Sequence, residues 1–367
     1  MNKINHQNAL VGTALQILAA LCLAGTNAAA ADFFNLATGD GSRIDRADHY
    51  SNTDGDKTPA TTAPEAEDNL IFYNSALEAP ASLTLYTGPG REGRSRAFNS
   101  MTFRANAGAT QIDRSASSDR DATVLVIGAG GITMEKDAGL VTFGRPTGDK
   151  KMQKLVLRAG ADLAVTNNSK NNLVINSHFD GRYESSTSAI TVAGSGAGEV
   201  VFANDIKKNW KGGDLSITIK TSGVVRFEGD NTYTGATKVA SGKLFINGNS
   251  AAATGPVTVA SGAALCGNGE IGGDVSIANN GRLEFVLGPA DRHDAMELSK
   301  TLTLAGASEV VVTSGGGATP GKYPLLIAVG GILGKAPKTL KLPKGWLGKI
   351  SISGNDLVLD LKTASNR

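Results

Sequence analysis

The residues of this chain that could do chemistry are few and scattered. The run Val124-Leu125-Val126-Ile127-Gly128-Ala129-Gly130-Gly131 imitates a strand entering a dinucleotide-binding turn. That fingerprint needs a further glycine at position 133 so that a helix can pack close to the strand, and Thr133 stands there. Residues 134–143 alternate like a strand and offer no helix N-terminus for a pyrophosphate, so no cofactor is expected. Asp230, Glu270, Asp274 and Glu284 are the acids to weigh for sugar cleavage, which requires two carboxyl groups about 5 to 9.5 Å apart on one groove. Spacing along the chain does not establish such a pair. His49, His178 and His293 are far apart, with no zinc spacing and no His-Glu-x-x-His helix. Residues 48–56 and Asp291-Arg292-His293-Asp294 carry oxygen ligands suited to calcium, but the EF-hand pattern fails at Tyr50 and Thr61. Ser185, Ser186 and Ser188 have no nameable base and read as a polar loop. No catalytic, cofactor-binding or metal residue is expected, and the chain is expected not to be an enzyme.

The elements that would have to position any site are short strands. Forty-six glycines against eleven prolines, with aromatic residues at 5%, suit many tight turns. Read with a period of two, the chain returns repeatedly to an alternating apolar strand, a few small residues and a second alternating strand. The clearest set is Thr237-Lys238-Val239-Ala240-Ser241-Gly242, Val257-Thr258-Val259-Ala260-Ser261-Gly262 and Val275-Ser276-Ile277. This recurrence of roughly 20 residues is too short for a propeller blade and lacks helical periodicity. One coil of a β-helix fits it: each strand pairs in parallel with its counterpart one turn on, about 4.8 Å along the axis, and inward Val, Ile and Leu stack in columns. The competing architecture is a β-sandwich of hairpins, since signals such as Asn247-Gly248 also occur.

Residues 1–31 read as a secretory signal: Lys3, an apolar run from Ala9 to Ala24, then small residues through Ala31. Leu21 before Cys22 departs from a lipobox. Nothing later approaches the ~20 apolar residues of a membrane-spanning helix. Removal of the signal would leave Cys266 as the sole cysteine, so no internal disulfide is expected and core burial must hold the fold. A formal charge of +2 with both signs interspersed predicts no field to attract nucleic acid or an anionic membrane. Residues 32–68, polar and rich in Gly, Asp, Thr and Pro, read as a leader or N-terminal cap, 69–320 as the repeat array, and 321–367, with Pro324, Pro337, Pro343 and Trp346, as a C-terminal cap.

One segment is more specific than its periodicity. Residues 227–248 carry Phe227, Gly229, an Asn231-Thr232-Tyr233-Thr234-Gly235 centre, Thr237, Val239, Gly242 and Leu244, and close on Asn247-Gly248. This segment closely resembles the autotransporter-associated β-strand repeat, also called the passenger-associated transport repeat. Residues 265–275 resemble the coil that usually comes after it, and 127–144 its weaker relatives upstream. The resemblance implies a right-handed parallel β-helix, passenger-like and exported to the cell surface or medium, with the periplasm as the alternative. It implies a structural or adhesive role toward surface glycan or extracellular matrix and dependence on export machinery. A secreted polysaccharide-active enzyme on the same scaffold is the alternative function. A translocator barrel would need at least eight amphipathic strands of about ten residues, and none is expected within this sequence.

Overall fold

The computed structural model describes residues 30–36, 42–44, 50–54, 58–72, 83–86, 96–105, 107–113, 123–146, 155–182, 187–208, 211–289 and 295–363. Among these residues there is no helix; the regular elements are all strands. The expected alternation is what forms them. In Leu215–Phe227 the side chains of Leu215, Ile217 and Ile219 are buried while Ser216 and Thr218 are half-exposed, the pattern of a strand with one face on a core.

The pairing is overwhelmingly parallel, between strands about 20 to 30 residues apart in sequence. It brings like positions into register, so that the core is a set of columns. One column runs Phe33, Leu70, Met101, Ile132, Val165, Val192, Ile219, Val239, Val259, Ile277 and Leu304, each residue opposite the next. All of them are at most 4% exposed. A second column runs Thr110, Val141, Leu173, Val200, Val225, Leu244, Leu265, Leu283 and Val310. A separate sheet stacks Asn249–Ser250, Glu270–Ile271, Met296–Leu298 and Gly321–Ala328. An all-β chain with one long parallel ladder is thus in place, consistent with a solenoid, and the antiparallel facing layers of a β-sandwich are not what the pairing gives.

Strand pairing reaches into both terminal segments. Parallel pairing begins at Asp32–Asn35, on Asn69–Phe72, inside the stretch read as a polar leader. The reason is aromatic: Phe33 and Tyr50 are buried and meet edge to face at 6.1 Å, enough apolar surface for one more layer despite polar surroundings. At the other end the parallel ladder persists through Ile332–Gly334 and Thr339–Lys341. The chain then turns antiparallel: Trp346–Ser353 pairs with Asp356–Thr363, which in turn pairs with Gly321–Ala328.

The glycine-rich run near 128 lies inside one continuous strand, Thr123–Met134, with no helix after it. Ser185, Ser186, His49 and residues 291–294 lie outside the described residues.

Candidate functional site

The segment 227–248 is tied to the passes before and after it by its own polar groups. Asn231 is 0% exposed. Its Oδ1 accepts the Ile206 N–H at 2.9 Å on the preceding pass; its Nδ2 donates to Ser250 Oγ at 2.9 Å and its backbone N–H to Asn249 O at 3.0 Å on the following one. Thr232 donates its N–H to Ile206 O at 2.9 Å, and Thr234 donates its hydroxyl to Asp214 at 2.6 Å. The buried Tyr233 ring meets Phe227 edge to face at 6.4 Å, and its hydroxyl shares a 2.7 Å bond with Thr237. Burial pushes the Tyr233 phenol up to about 12, against a weaker opposing effect of the Thr237 bond. Val239 and Leu244 are members of the two aliphatic columns, and Asn247 donates to Glu228 at 2.9 Å. At Gly229, Gly235 and Gly248 a Cβ would fall 2.3, 2.4 and 2.1 Å from backbone of the pass before, and Gly242 has φ 78°. These residues join layers.

The Asn231 geometry supplies a test. Asn231→Ala leaves the Ile206 N–H and the Ser250 hydroxyl without their partner in a dry site, at a cost of about 2 kcal/mol. Urea unfolding should show a lower midpoint with an unchanged slope. A midpoint equal to that of the parent would show that the amide is dispensable.

The outer face over Leu215–Phe227, Thr237–Ile246, Ala264–Cys266 and Arg282–Leu287 carries a set of linked charges. Register aligns Arg226, Phe245, Cys266 and Glu284 across this face. Arg226 donates twice to Glu199, at 2.8 and 3.0 Å, and its guanidinium lies 4.2 Å from the Phe245 ring centroid. The Glu199 hydrogen bond raises the already high Arg226 pKa, against desolvation. Lys243 reaches across the intervening strand to Glu284 Oε2, whose Oε1 accepts from Arg282 at 3.0 Å. Cys266 and Ala264 sit beneath this lattice, 0% exposed. Burial, and next the Glu284 charge, push the Cys266 thiol far above its ordinary value, so it is a poor nucleophile.

The four acids singled out by sequence have different surroundings. Glu284 has both oxygens held by cations. Asp230 and Asp274 are exposed and accept backbone N–H groups of the next pass, from Asn249 at 3.1 Å and Thr301 at 3.2 Å. Glu270 is a half-buried member of the strand Glu270–Ile271. His178 stands 3.5 Å from Asp205; burial and then Lys207 lower its pKa, with Asp205 and Asp180 acting the other way. Among the described residues no group of three His, Cys, Asp or Glu could hold a metal ion. The side chains of Asn167, Asn168 and Asn172 bond chiefly to backbone: Asn167 donates to Asn171 O within its turn, and one pass on Asn168 accepts from Ser195 N–H and Asn172 from Glu199 N–H. Sequence reading overlooked Arg226, Lys243, Phe245 and Arg282. Their outward alternation with Val225, Leu244 and Leu283 was the available signal.

No family model matches the chain. The adhesin BmaC autotransporter of Brucella suis biovar 1 (strain 1330) is 30% identical over 159 residues, covering 35% of this chain and 5% of that protein. The chain therefore spans about one twentieth of the relative it matches, and it is distantly related to an autotransporter adhesin over roughly a third of its own length.

Proposed function

We propose that this chain is a right-handed parallel β-helix, passenger-like and exported by its N-terminal signal, that serves as a non-catalytic adhesive or structural module at the cell surface or in the medium. The observation that carries the reading is the disposition of polar groups along one long parallel ladder. The repeat's Asn, Thr and Tyr groups are consumed in layer-to-layer bonds, while the outer face presents a flat lattice of ion pairs around Arg226, Phe245 and Glu284. Such a face suits shallow, repeated contacts with glycan or matrix, and its acids lack a free oxygen pair for bond cleavage. The distant relationship to an adhesin supports the same conclusion. The partners expected are surface glycan or extracellular matrix, and the export machinery that delivers the chain.

Purified chain passed over mucin-coated and matrix-coated surfaces should be retained and form no product. Arg226→Ala and Lys243→Ala each remove one partner of a partly buried pair, at a cost of about 1 kcal/mol, and should reduce retention while a urea midpoint shows the chain still folded. New reducing ends or unsaturated sugar would replace this reading by a polysaccharide-active enzyme; absence of retention on every surface would remove adhesion. Fractionation into periplasm, outer membrane and medium tests the address, and cytoplasmic accumulation would reject export.

A further inference from the structure

The overall charge of the chain is almost balanced, but its C-terminal end is not. From position 329 to 355 the sequence holds five lysines, Lys335, Lys338, Lys341, Lys344 and Lys349, and no aspartate or glutamate. The fold collects this stretch at one end of the ladder. Ile332–Gly334 and Thr339–Lys341 each pair on one side only, as the last parallel strands of their flanks, and Trp346–Ser353 is the outermost strand of the other sheet. All five lysines are exposed. Lys341 is bonded to Glu309 at 2.7 Å, and Lys349 stands opposite Asp360 in the antiparallel register. Lys335, Lys338 and Lys344 make no ion pair among the described residues.

Between these cations stand apolar side chains that the core does not cover. Val329 is 69% exposed, Leu333 58% and Leu347 54%. Large exposed aliphatic side chains are otherwise rare: the described remainder of the molecule adds Leu140 at 43% and Val286 at 39%. Three of the five most exposed aliphatics therefore share the basic end.

We propose that this end is a peripheral docking surface for a bilayer with anionic headgroups, with the lysines on the phosphates and Leu333 and Leu347 entering the interfacial region. A second copy of the chain is disfavoured because the same lysines would face each other; lysines on open strand edges repel their like. An acidic polysaccharide would satisfy the cations and leave the leucines in water. A lipid surface satisfies both, since binding to an interface scales with apolar area plus attraction to anionic lipid. The proposal is independent of adhesion: it concerns the end of the ladder, not its flank.

The test is co-sedimentation of the full chain with phosphatidylcholine vesicles and with vesicles enriched in phosphatidylglycerol. Any contribution of residues 1–31 is shared by every variant, so the readout is the difference between variants and between lipids. The parent should pellet preferentially with the anionic vesicles and lose that preference at high salt. Lys335→Gln, Lys338→Gln and Lys344→Gln combined should weaken it on the order of a hundredfold, from roughly a fivefold loss per removed charge. Leu333→Ser with Leu347→Ser should also weaken it, while a Lys208→Gln control, far along the ladder, should not. The two leucine substitutions alter exposed side chains, so a matched urea midpoint checks that folding is intact. Equal pelleting with both lipids, equal pelleting of parent and triple-lysine variant, or retention on an acidic polysaccharide indifferent to the leucine changes would each overturn the proposal.

Discussion

Replacement of Tyr233 by alanine should lower the stability of the chain by about 3–5 kcal/mol, the loss typical of a large aromatic side chain removed from a packed interior. The ring is 3% exposed and closes the interior against Phe227, itself stacked edge to face on Phe202 at 5.5 Å. Alanine would leave a cavity bordered by main chain that is held on both sides by ladder bonds, so the site has little freedom to collapse. The hydroxyl supplies a separate, pH-dependent handle. The phenol titrates near 10 in an unfolded chain and is pushed to about 12 here, so the folded state binds more proton between those values. Its contribution is complete below about pH 10 and is lost as pH rises toward 12, a change of about 3 kcal/mol over that window. Tyr233→Phe should remove this dependence while giving up only the Thr237 bond, about 1 kcal/mol. Denaturant melts of parent and Tyr233→Phe at several alkaline pH values read the difference; parallel curves would show that the phenol is not buried as described.

Gly194→Val should be at least as damaging and for a different reason. Gly194 ends the strand Ser188–Gly194 with φ at 127°, a conformation that side-chain-bearing residues rarely adopt. A Cβ there would lie 2.0 Å from Asn167 O and 2.6 Å from its carbonyl carbon. Asn167 cannot yield, because it is 2% exposed, accepts the Ser169 N–H at 2.9 Å and donates to Asn171 O at 3.0 Å. Backbone strain and the clash together should cost about 4 kcal/mol or more, enough to break the ladder locally. Limited proteolysis should open the chain near 167–194 in the variant and leave the parent intact. Gly306→Ala is the matched control: nothing lies within 4 Å of its Cβ position, and its midpoint should stay within about 0.5 kcal/mol of the parent. Comparable losses in both variants would point to a general intolerance of glycine replacement instead of a clash at one layer.

Both predictions concern layer-to-layer contact, and that is where sequence reading was strongest. Alternation of Val257-Thr258-Val259 and Val275-Ser276-Ile277 marks the strands, and their recurrence marks which positions oppose each other, because a parallel ladder repeats whatever the chain repeats. Boundaries were less legible. A single coil in which apolar content is concentrated in Phe33, Ile44 and Tyr50 is diluted by polar neighbours and reads as a leader, yet burial is decided residue by residue and those side chains are inside. The lysines of the C-terminal segment were similarly averaged away in a whole-chain charge of +2.

By itself the sequence determined the strand class, which depends on residue type and short spacing. Only the tertiary structure decided that Arg226, Phe245, Cys266 and Glu284 share one face, that Lys243 crosses a strand to reach Glu284 41 residues away, and that five lysines gather at the open end of the ladder. The reason is physical. Inward positions announce themselves by hydrophobicity, whereas outward positions are brought together by register alone, and register is a property of the stacked chain, not of any one strand.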